Sequence, residues 1–288
     1  MKNIFIYTLS MLFYCMIVSA KEPIKVLIVT GQNNAHNWQA SNVILQKILN
    51  ESGLFQADVA VSPPKGENMS QFSPNFSPYQ VVVIDYDGDS WSDATNAAFL
   101  DYVKKGGGVV VYHAGNNPFP EWKEFNEIIG LGGWGGRTEK HGPYVYFKDG
   151  KEVRDDSPGR GGSHGKQHEF VIDVRDKKHP ITKGLPASWQ HARDELYDRM
   201  RGPALNMNIL ATAYSDTDTG GSGRDEPLLM TIKWGKGRIF HTMLGHIGGN
   251  ELTHPSVESA SFIVTFLRGT EWAATGKVTQ KVPANFPN

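Results

Sequence analysis

Three short runs of almost purely apolar residues constrain the fold of this chain more than any other feature. They cover residues 24–30, 81–84 and 109–112, and none of them alternates apolar with polar residues. Such runs are typical of strands that are buried on both faces, which requires helices on both sides of the sheet. Apolar residues at helical spacing over 42–49, and again after Ser92, supply the covering helices.

The order of these segments predicts a doubly wound α/β fold. A short strand at 57–61 completes a β-α-β-loop-β-α-β series, whose right-handed connections place helices on both faces. We therefore expect a flavodoxin-like, mostly parallel sheet with strand order 2-1-3-4-5. Glycine-rich stretches at 130–136 and 159–165 indicate long loops. The remaining elements are expected as strands at 170–174, 209–214 and 228–234, a C-terminal β-hairpin turning at Lys236-Gly237 into 238–244, and a closing helix at 255–267.

The N-terminus has the pattern of a secretory signal peptide. Lys2 supplies a positive charge, residues 4–18 are mostly apolar, and Val18-Ser19-Ala20 forms a cleavage site of small residues. We expect residues 1–20 to be removed by cleavage near Ala20. The product would be a periplasmic or secreted protein with no membrane insertion, folded as a single domain over residues 21–288.

Composition excludes several kinds of chemistry. Cys15 is the only cysteine and lies in the predicted signal peptide, so the mature chain has no thiol for a disulfide, a zinc-thiolate site or a nucleophile. The formal net charge is −1, with both signs interspersed along the chain. This balance gives no electrostatic basis for nucleic acid or an anionic membrane as a partner, and the sequence leaves the oligomeric state open.

Polar side chains follow the predicted parallel strands where each strand ends. His36 follows the first strand, Asp87 the third and His113 the fourth, while His246 follows a late strand. Because the carboxyl ends of parallel strands meet at one edge of a sheet, these side chains are expected to share a cleft. A neutral imidazole near pH 7 can transfer a proton or bind a divalent metal, so both mechanisms are open for His113.

Several ordered motifs resemble one family. The stretches "GGGVVVYHAGNN" at 106–117, "HPITKGLP" at 179–186, "DELY" at 194–197 and "PLLMTIKWGKGRIFHTMLGH" at 227–246 are similar to the ThuA-like (trehalose utilisation) family. The resemblance spans about residues 24–275. It implies a flavodoxin-like core related to class I glutamine amidotransferases, and a role in handling disaccharides or their keto derivatives.

The resemblance also shows where this chain departs from the amidotransferases. In those relatives a cysteine nucleophile occupies the sharp turn after the strand that here ends at Tyr112. This sequence has His113 at that position, so glutamine hydrolysis through a cysteinyl thioester is not available to it.

These observations predict an enzyme acting on a small carbohydrate. His113, His246, His36 and Glu195 are the candidate catalytic residues, by histidine acid/base chemistry or by metal-assisted chemistry. In the metal-assisted version His113 and His246 bind one divalent metal such as Zn; no cofactor is otherwise indicated. Arg137 and His141, in the glycine-rich loop "GGWGGRTEKHG", would reach the cleft as a lid. The candidate substrate-binding residues are Asp87, Tyr197, Trp38, Arg137, His141 and Asn116.

Two other interpretations remain open at this point. A non-catalytic carbohydrate-binding protein would use aromatic stacking, for which Trp38, Trp91, Trp122 and Trp134 are the candidates. A structural relative with a vestigial cleft would keep the fold without ligand or chemistry.

Overall fold

The computed structural model describes residues 22–287, and the predicted signal peptide lies outside these residues. Within them the chain forms thirteen strands and five α-helices. The strands are β1 (Ile24–Gly31), β2 (Phe55–Val61), β3 (Val81–Tyr86), β4 (Gly108–Tyr112), β5 (Tyr144–Lys148), β6 (Lys151–Asp155), β7 (Ser163–His164), β8 (His168–Val174), β9 (Ser188–Asp194), β10 (Tyr197–Asp198), β11 (Met207–Ser215), β12 (Arg224–Trp234) and β13 (Gly237–Thr242). The helices are α1 (Trp38–Glu51), α2 (Asp93–Lys104), α3 (Lys123–Ile129), α4 (Pro255–Glu258) and α5 (Ala260–Thr275).

One half of the central sheet is parallel and has the predicted strand order. Strands β2, β1, β3, β4 and β13 lie side by side, and every neighbouring pair among them is parallel. The last strand to join, β13, takes the fifth position of the 2-1-3-4-5 order. The flavodoxin-like α/β fold is therefore confirmed, and the carboxyl ends of these strands face one edge.

The other half of the sheet is antiparallel. It continues from β13 through β12, β11 and β8 to β9, while β5 and β6 extend it from the side of β12, giving eleven strands in all. The predicted hairpin is present as β12 and β13, joined through Gly235 and Lys236. Strands β5, β6 and β9 were not predicted, because their sequences mix charged and apolar residues without a sustained apolar run.

Helices cover both faces of the parallel half. Helices α1 and α5 pack against each other and against β1 and β4 respectively. The β3-α2-β4 crossover runs in the opposite direction along the sheet to β1-α1-β2, so right-handed connections put α2 on the other face. There Phe99 of α2 packs edge-on against Trp122, and Trp122 stacks on Phe125 of α3.

Three helix boundaries differ from the sequence prediction. Helix α1 begins four residues before residue 42, because the Asn37 side chain accepts a hydrogen bond from the backbone N–H of Ala40 and caps the first turn. The closing helix is divided at Ser259, whose extended backbone ends α4 and whose side chain caps α5. Among the described residues, no helix is both long enough and apolar enough to cross a membrane.

Candidate metal centre

Four side chains from separate segments converge at the carboxyl edge of the parallel strands. His36 follows β1, His113 follows β4 and His246 follows β13, while Glu195 lies between β9 and β10. Each offers one nitrogen or oxygen atom, and the four atoms all lie within 4.8 Å of one another. The sequence prediction that distant histidines gather over one edge of the sheet agrees with this arrangement.

The separations between these atoms match the size of a small metal site. Nε2 of His36 lies 3.2 Å from Nε2 of His113, and Oε2 of Glu195 lies 3.8 Å from each of these nitrogens. Nδ1 of His246 is 3.1 Å from the same carboxylate oxygen. Ligand bonds of about 2.0–2.2 Å in a tetrahedral zinc site imply ligand-to-ligand distances of about 3.3–3.6 Å. Small side-chain rotations would bring all four atoms onto one ion.

The hydrogen bonds of two histidines aim their lone pairs at each other. Nδ1 of His113 donates to the carbonyl of Met243 at 2.7 Å, and Nδ1 of His36 faces the Asn33 side-chain oxygen at 3.4 Å. Because both partners accept hydrogen bonds, each Nδ1 carries the proton and each Nε2 is left as an acceptor. Two acceptors 3.2 Å apart repel each other unless a cation lies between them.

His246 supports the same interpretation. Its Nδ1 is buried and has no hydrogen-bond partner among the described residues, although the Glu195 carboxylate is close, because the two groups are not aligned for a hydrogen bond. An unpartnered buried nitrogen is costly, and coordination to a metal ion would satisfy it. The donor set therefore fits a divalent metal on contacts that the fold already makes.

The protonation states also suit metal binding. Burial, followed by the neighbouring His36 and His246, lowers the pKa of His113 to about 3, so its imidazole is neutral at physiological pH. Burial acts to raise the pKa of Glu195, but His246, His36 and His113 together hold that pKa well below its usual range. A neutral imidazole and an ionised carboxylate bind a metal without first releasing a proton.

The turn after β4 fixes the position of His113. The residue has a left-handed backbone (φ 43°), which is strained for a side chain other than glycine. Gly115 makes the turn possible, since a Cβ there would lie 2.3 Å from the carbonyl oxygen of Ile84. This is the sharp turn that carries the cysteine in the amidotransferase relatives, and here it presents an imidazole.

Asp194 positions two of the candidate ligands through the backbone. Its buried carboxylate accepts hydrogen bonds from the N–H groups of Glu195 (2.8 Å), Gly245 (2.8 Å) and His246 (3.0 Å). Nε2 of His191 lies 3.0 Å from its other face. One carboxylate therefore connects the end of β9 to the loop after β13, and holds Glu195 and His246 in register.

The loops that carry His36 and His246 are also joined directly. His36 and Gly248 form an antiparallel bridge, and the backbone N–H of Asn37 donates to the carbonyl of Ile247 at 3.0 Å. The loop after β1 therefore cannot move without the loop after β13, and both imidazoles are held as a unit.

Two predicted substrate-binding residues lie against the cluster. The Tyr197 ring stacks on His113 with centroids 4.3 Å apart, and its hydroxyl lies 3.3 Å from Nε2 of His36. The phenol is buried, so it packs beneath the candidate ligands instead of facing an open pocket. Asp87 follows β3, and burial raises the pKa of its carboxyl, an effect partly offset by Asn117 and His36.

Arg137 needs a correction. It was expected to reach the cleft from a lid, but its side chain is 1% exposed and its guanidinium donates to the carbonyls of Asn117, Gly133 and Pro118. The many carbonyls of the glycine-rich loop have turned inward and are satisfied by one buried cation. Arg137 therefore braces the loops beside the cluster.

His141 and Asn116 also have structural contacts. Nδ1 of His141 accepts the backbone N–H of Thr138 at 3.0 Å, which completes a capping box away from the cluster. The Asn116 amide is buried and donates to Nε2 of His241 at 3.0 Å. Trp38 begins α1, and within residues 22–287 its ring makes no contact with the three clustered imidazoles.

The sequence analysis missed His164. This histidine lies in β7, a two-residue strand paired with β10, and its Nε2 is 3.8 Å from Oε1 of Glu195. It is 38% exposed, so it marks the open side of the cluster. The only sequence signal was its place between glycines, at 161–162 and 165, which suggests a close approach of backbones.

A buried carboxylate lies behind the cluster. Asp85 accepts hydrogen bonds from Ser41 (2.7 Å) and Thr30 (3.0 Å), and it lines a small internal cavity together with His36 and His113. Burial raises the pKa of Asp85 to about 7, and the two hydroxyls offset only part of that effect.

Asp85 predicts a pH-dependent stability. Because the folded pKa of about 7 exceeds the ordinary 3.8, folding is penalised increasingly as pH rises from about 4 to 7, and fully above 7. The penalty reaches roughly 4 kcal/mol as an upper value. We expect the free energy of unfolding of Asp85→Asn, relative to the wild type, to increase from pH 4 to pH 8. Thermal unfolding of chelator-treated proteins measures this, and a difference that does not change with pH would contradict it.

Comparison with known proteins identifies the family. The family model described as "ThuA: Trehalose utilisation" matches residues 25–273. The chain belongs to the ThuA family. A solved ThuA-like protein from Parabacteroides merdae is 60% identical, with a TM-score of 0.90, over 93% of this chain and 95% of that chain. A ThuA-like protein from Bacteroides uniformis is 19% identical over 91% of this chain and 95% of that chain, with a TM-score of 0.56, and shares the fold. A search of curated proteins finds no match.

Proposed function

We propose that this ThuA-family protein is a metal-dependent enzyme that acts on a small carbohydrate. One divalent ion of the zinc type would be held by His36, His113, His246 and Glu195. The observation that carries the proposal is the convergence of four ligand atoms within 4.8 Å at the carboxyl edge of the parallel strands. Open α/β sheets place their binding sites at this edge.

The chemistry of the donor set favours zinc among the divalent metals. Imidazole nitrogen suits zinc, and mixed imidazole and carboxylate sets occur in catalytic zinc sites. Such an ion, when bound, supplies a Lewis acid for a carbonyl oxygen or lowers the pKa of a water molecule. Met243 and Asn33 hold the histidine tautomers, and Asp194 holds the backbone on which Glu195 and His246 lie. Oε1 of Glu195 faces His164 on the open side.

Two observations support the substrate class and location. The family description names trehalose utilisation, which supports a disaccharide or a keto derivative of one. The apolar N-terminal segment ending at Val18-Ser19-Ala20 supports secretion to the periplasm or beyond.

The binding-only alternative loses part of its basis. Of the four tryptophans that motivated it, Trp91 is 4% exposed and packs among Phe72, Tyr86 and Phe99. Trp122 belongs to the same aromatic layer. These two rings belong to the hydrophobic core and cannot stack on a sugar.

Metal analysis and a substrate panel test the proposal. The full chain, purified without chelator, is expected to contain one equivalent of divalent metal by mass spectrometry. With trehalose, other glucosides and their 3-keto forms, we expect a product that disappears on chelation and returns with Zn²⁺. His168→Ala changes a histidine outside the cluster and should leave both results unchanged. Conversion without metal would favour acid/base chemistry by the histidines, and binding without conversion would favour a carbohydrate-binding protein.

A further inference from the structure

A continuous aromatic surface leads from the candidate metal centre to solvent. Tyr197 stacks on His113, and the Trp134 ring lies 4.6 Å from the Tyr197 ring. The exposed ring of His164 is 6.1 Å from Trp134 and 6.3 Å from Tyr197. Trp134 and His164 therefore border the open side of the cluster, beside the carboxylate of Glu195.

The position of Trp134 is held by the two glycine-rich loops. Its backbone is left-handed (φ 52°), which is strained for a bulky aromatic residue. The N–H of Trp134 donates to the carbonyl of Gly161, and its carbonyl accepts from the N–H of Arg137, both at 2.9 Å. Gly162 lies against it so closely that a Cβ would be 2.5 Å from the Trp134 nitrogen. Such strain persists only where the surroundings enforce it, often at binding sites.

The Trp134 side chain has unused binding capacity. Its ring is only partly buried, in contrast to Trp91 in the core. Among the described residues its indole N–H has no hydrogen-bond acceptor, whereas the indole N–H groups of Trp189 and Trp234 each have one. A flat apolar face with a free donor at its edge suits a ligand with an apolar face and hydroxyl groups.

We propose that Trp134 is the stacking platform for a pyranose ring of the substrate, and that His164 contacts a hydroxyl of the same ring. The inference rests on the proposed function, since it places that substrate beside the candidate metal centre. It deepens that function by requiring a saccharide with an unsubstituted apolar ring face. The flat, uncharged Trp134 face gives no preference for phosphorylated or otherwise ionic ligands.

Substitution of Trp134 tests the platform through substrate affinity. Trp134→Ala is expected to raise KM for the converted glycoside about tenfold, equivalent to about 1.4 kcal/mol, with a smaller effect on kcat. Trp134→Phe retains an aromatic face and is expected to recover most of that loss. Metal content should remain one equivalent in both variants. Tyr214→Ala, which removes an exposed ring on β11, is the control.

Direct binding separates this inference from the proposed function. Trehalose and methyl glucosides are titrated by calorimetry into zinc-loaded and chelator-treated protein, with binding expected in both forms and weakened by Trp134→Ala. Equal affinity of Trp134→Ala and wild type, or no binding of any pyranoside to wild type, would overturn the platform. Absence of metal from the wild type would overturn the proposed function instead, while the effect of Trp134 on pyranoside binding would still decide the platform.

Discussion

Replacing His113 by asparagine is expected to weaken zinc binding by at least about 100-fold, and to abolish any metal-dependent conversion. Asparagine tolerates the left-handed backbone of this position, so the turn is kept while the ligand nitrogen is lost. Three candidate ligands remain, but Nε2 of His36 then has no partner on the far side of the ion. Isothermal titration with Zn²⁺ and metal analysis after dialysis measure the effect.

Controls for this prediction separate ligand loss from unfolding. His113→Ala removes the same nitrogen but adds backbone strain, so it should resemble His113→Asn in zinc affinity and be less stable. His168→Ala should bind zinc as the wild type does. A His113→Asn protein that still retains one tightly bound zinc would show that His113 is not a ligand, and the proposed centre would have to be abandoned.

Replacing Asp194 by asparagine is expected to reduce both stability and zinc affinity. An amide cannot accept all the hydrogen bonds of the carboxylate, and its NH2 group would face the N–H groups of Gly245 or Glu195. Breaking a buried charge network of this kind costs about 3–5 kcal/mol of the free energy of unfolding. Loss of the residues' register should weaken zinc binding by about 10–100-fold, as other changes behind metal ligands do.

A matched variant distinguishes positioning from general destabilisation. Glu271 is another buried carboxylate that accepts backbone N–H groups, from Thr279 and Gln280, but it lies in α5 away from the cluster. Glu271→Gln should lower the urea midpoint and leave zinc affinity unchanged. If Asp194→Asn also left zinc affinity unchanged, Asp194 would be a purely structural residue.

The Asp194 prediction has a defined pH range. Burial acts to raise the pKa of Asp194, but His191, His113 and the N–H of Gly245 together hold it below the ordinary 3.8. The stability that this group contributes is therefore present above about pH 4 and lost as pH falls further. The Asp194→Asn effect should shrink in strongly acidic solution.

The histidines could be predicted because their positions follow from strand patterns. His36, His113 and His246 each follow an apolar run, and the parallel arrangement of those runs brings their ends together. Glu195 was found through the "DELY" motif, since the mixed composition of β9 gave no strand signal before it. His164 had no comparable signal, because a two-residue strand between glycines has no measurable periodicity.

Arg137 shows what a single sequence does not contain. An arginine in a glycine-rich loop looks available for a ligand, yet the carbonyls that bind it come from residues 117–118 and 133, on two different loops. Their convergence depends on tertiary packing, which no local pattern specifies. The same applies to Asn116, whose partner His241 lies 125 residues further along the chain.

The division of the central sheet has a consequence for assembly. Three candidate ligands come from the parallel half, whereas Glu195 arrives at the end of β9, at the far side of the antiparallel half. A partly folded chain that has built only one half can offer only part of the coordination sphere. High-affinity metal uptake therefore requires both halves to have docked, and loading with zinc would report completion of the native topology.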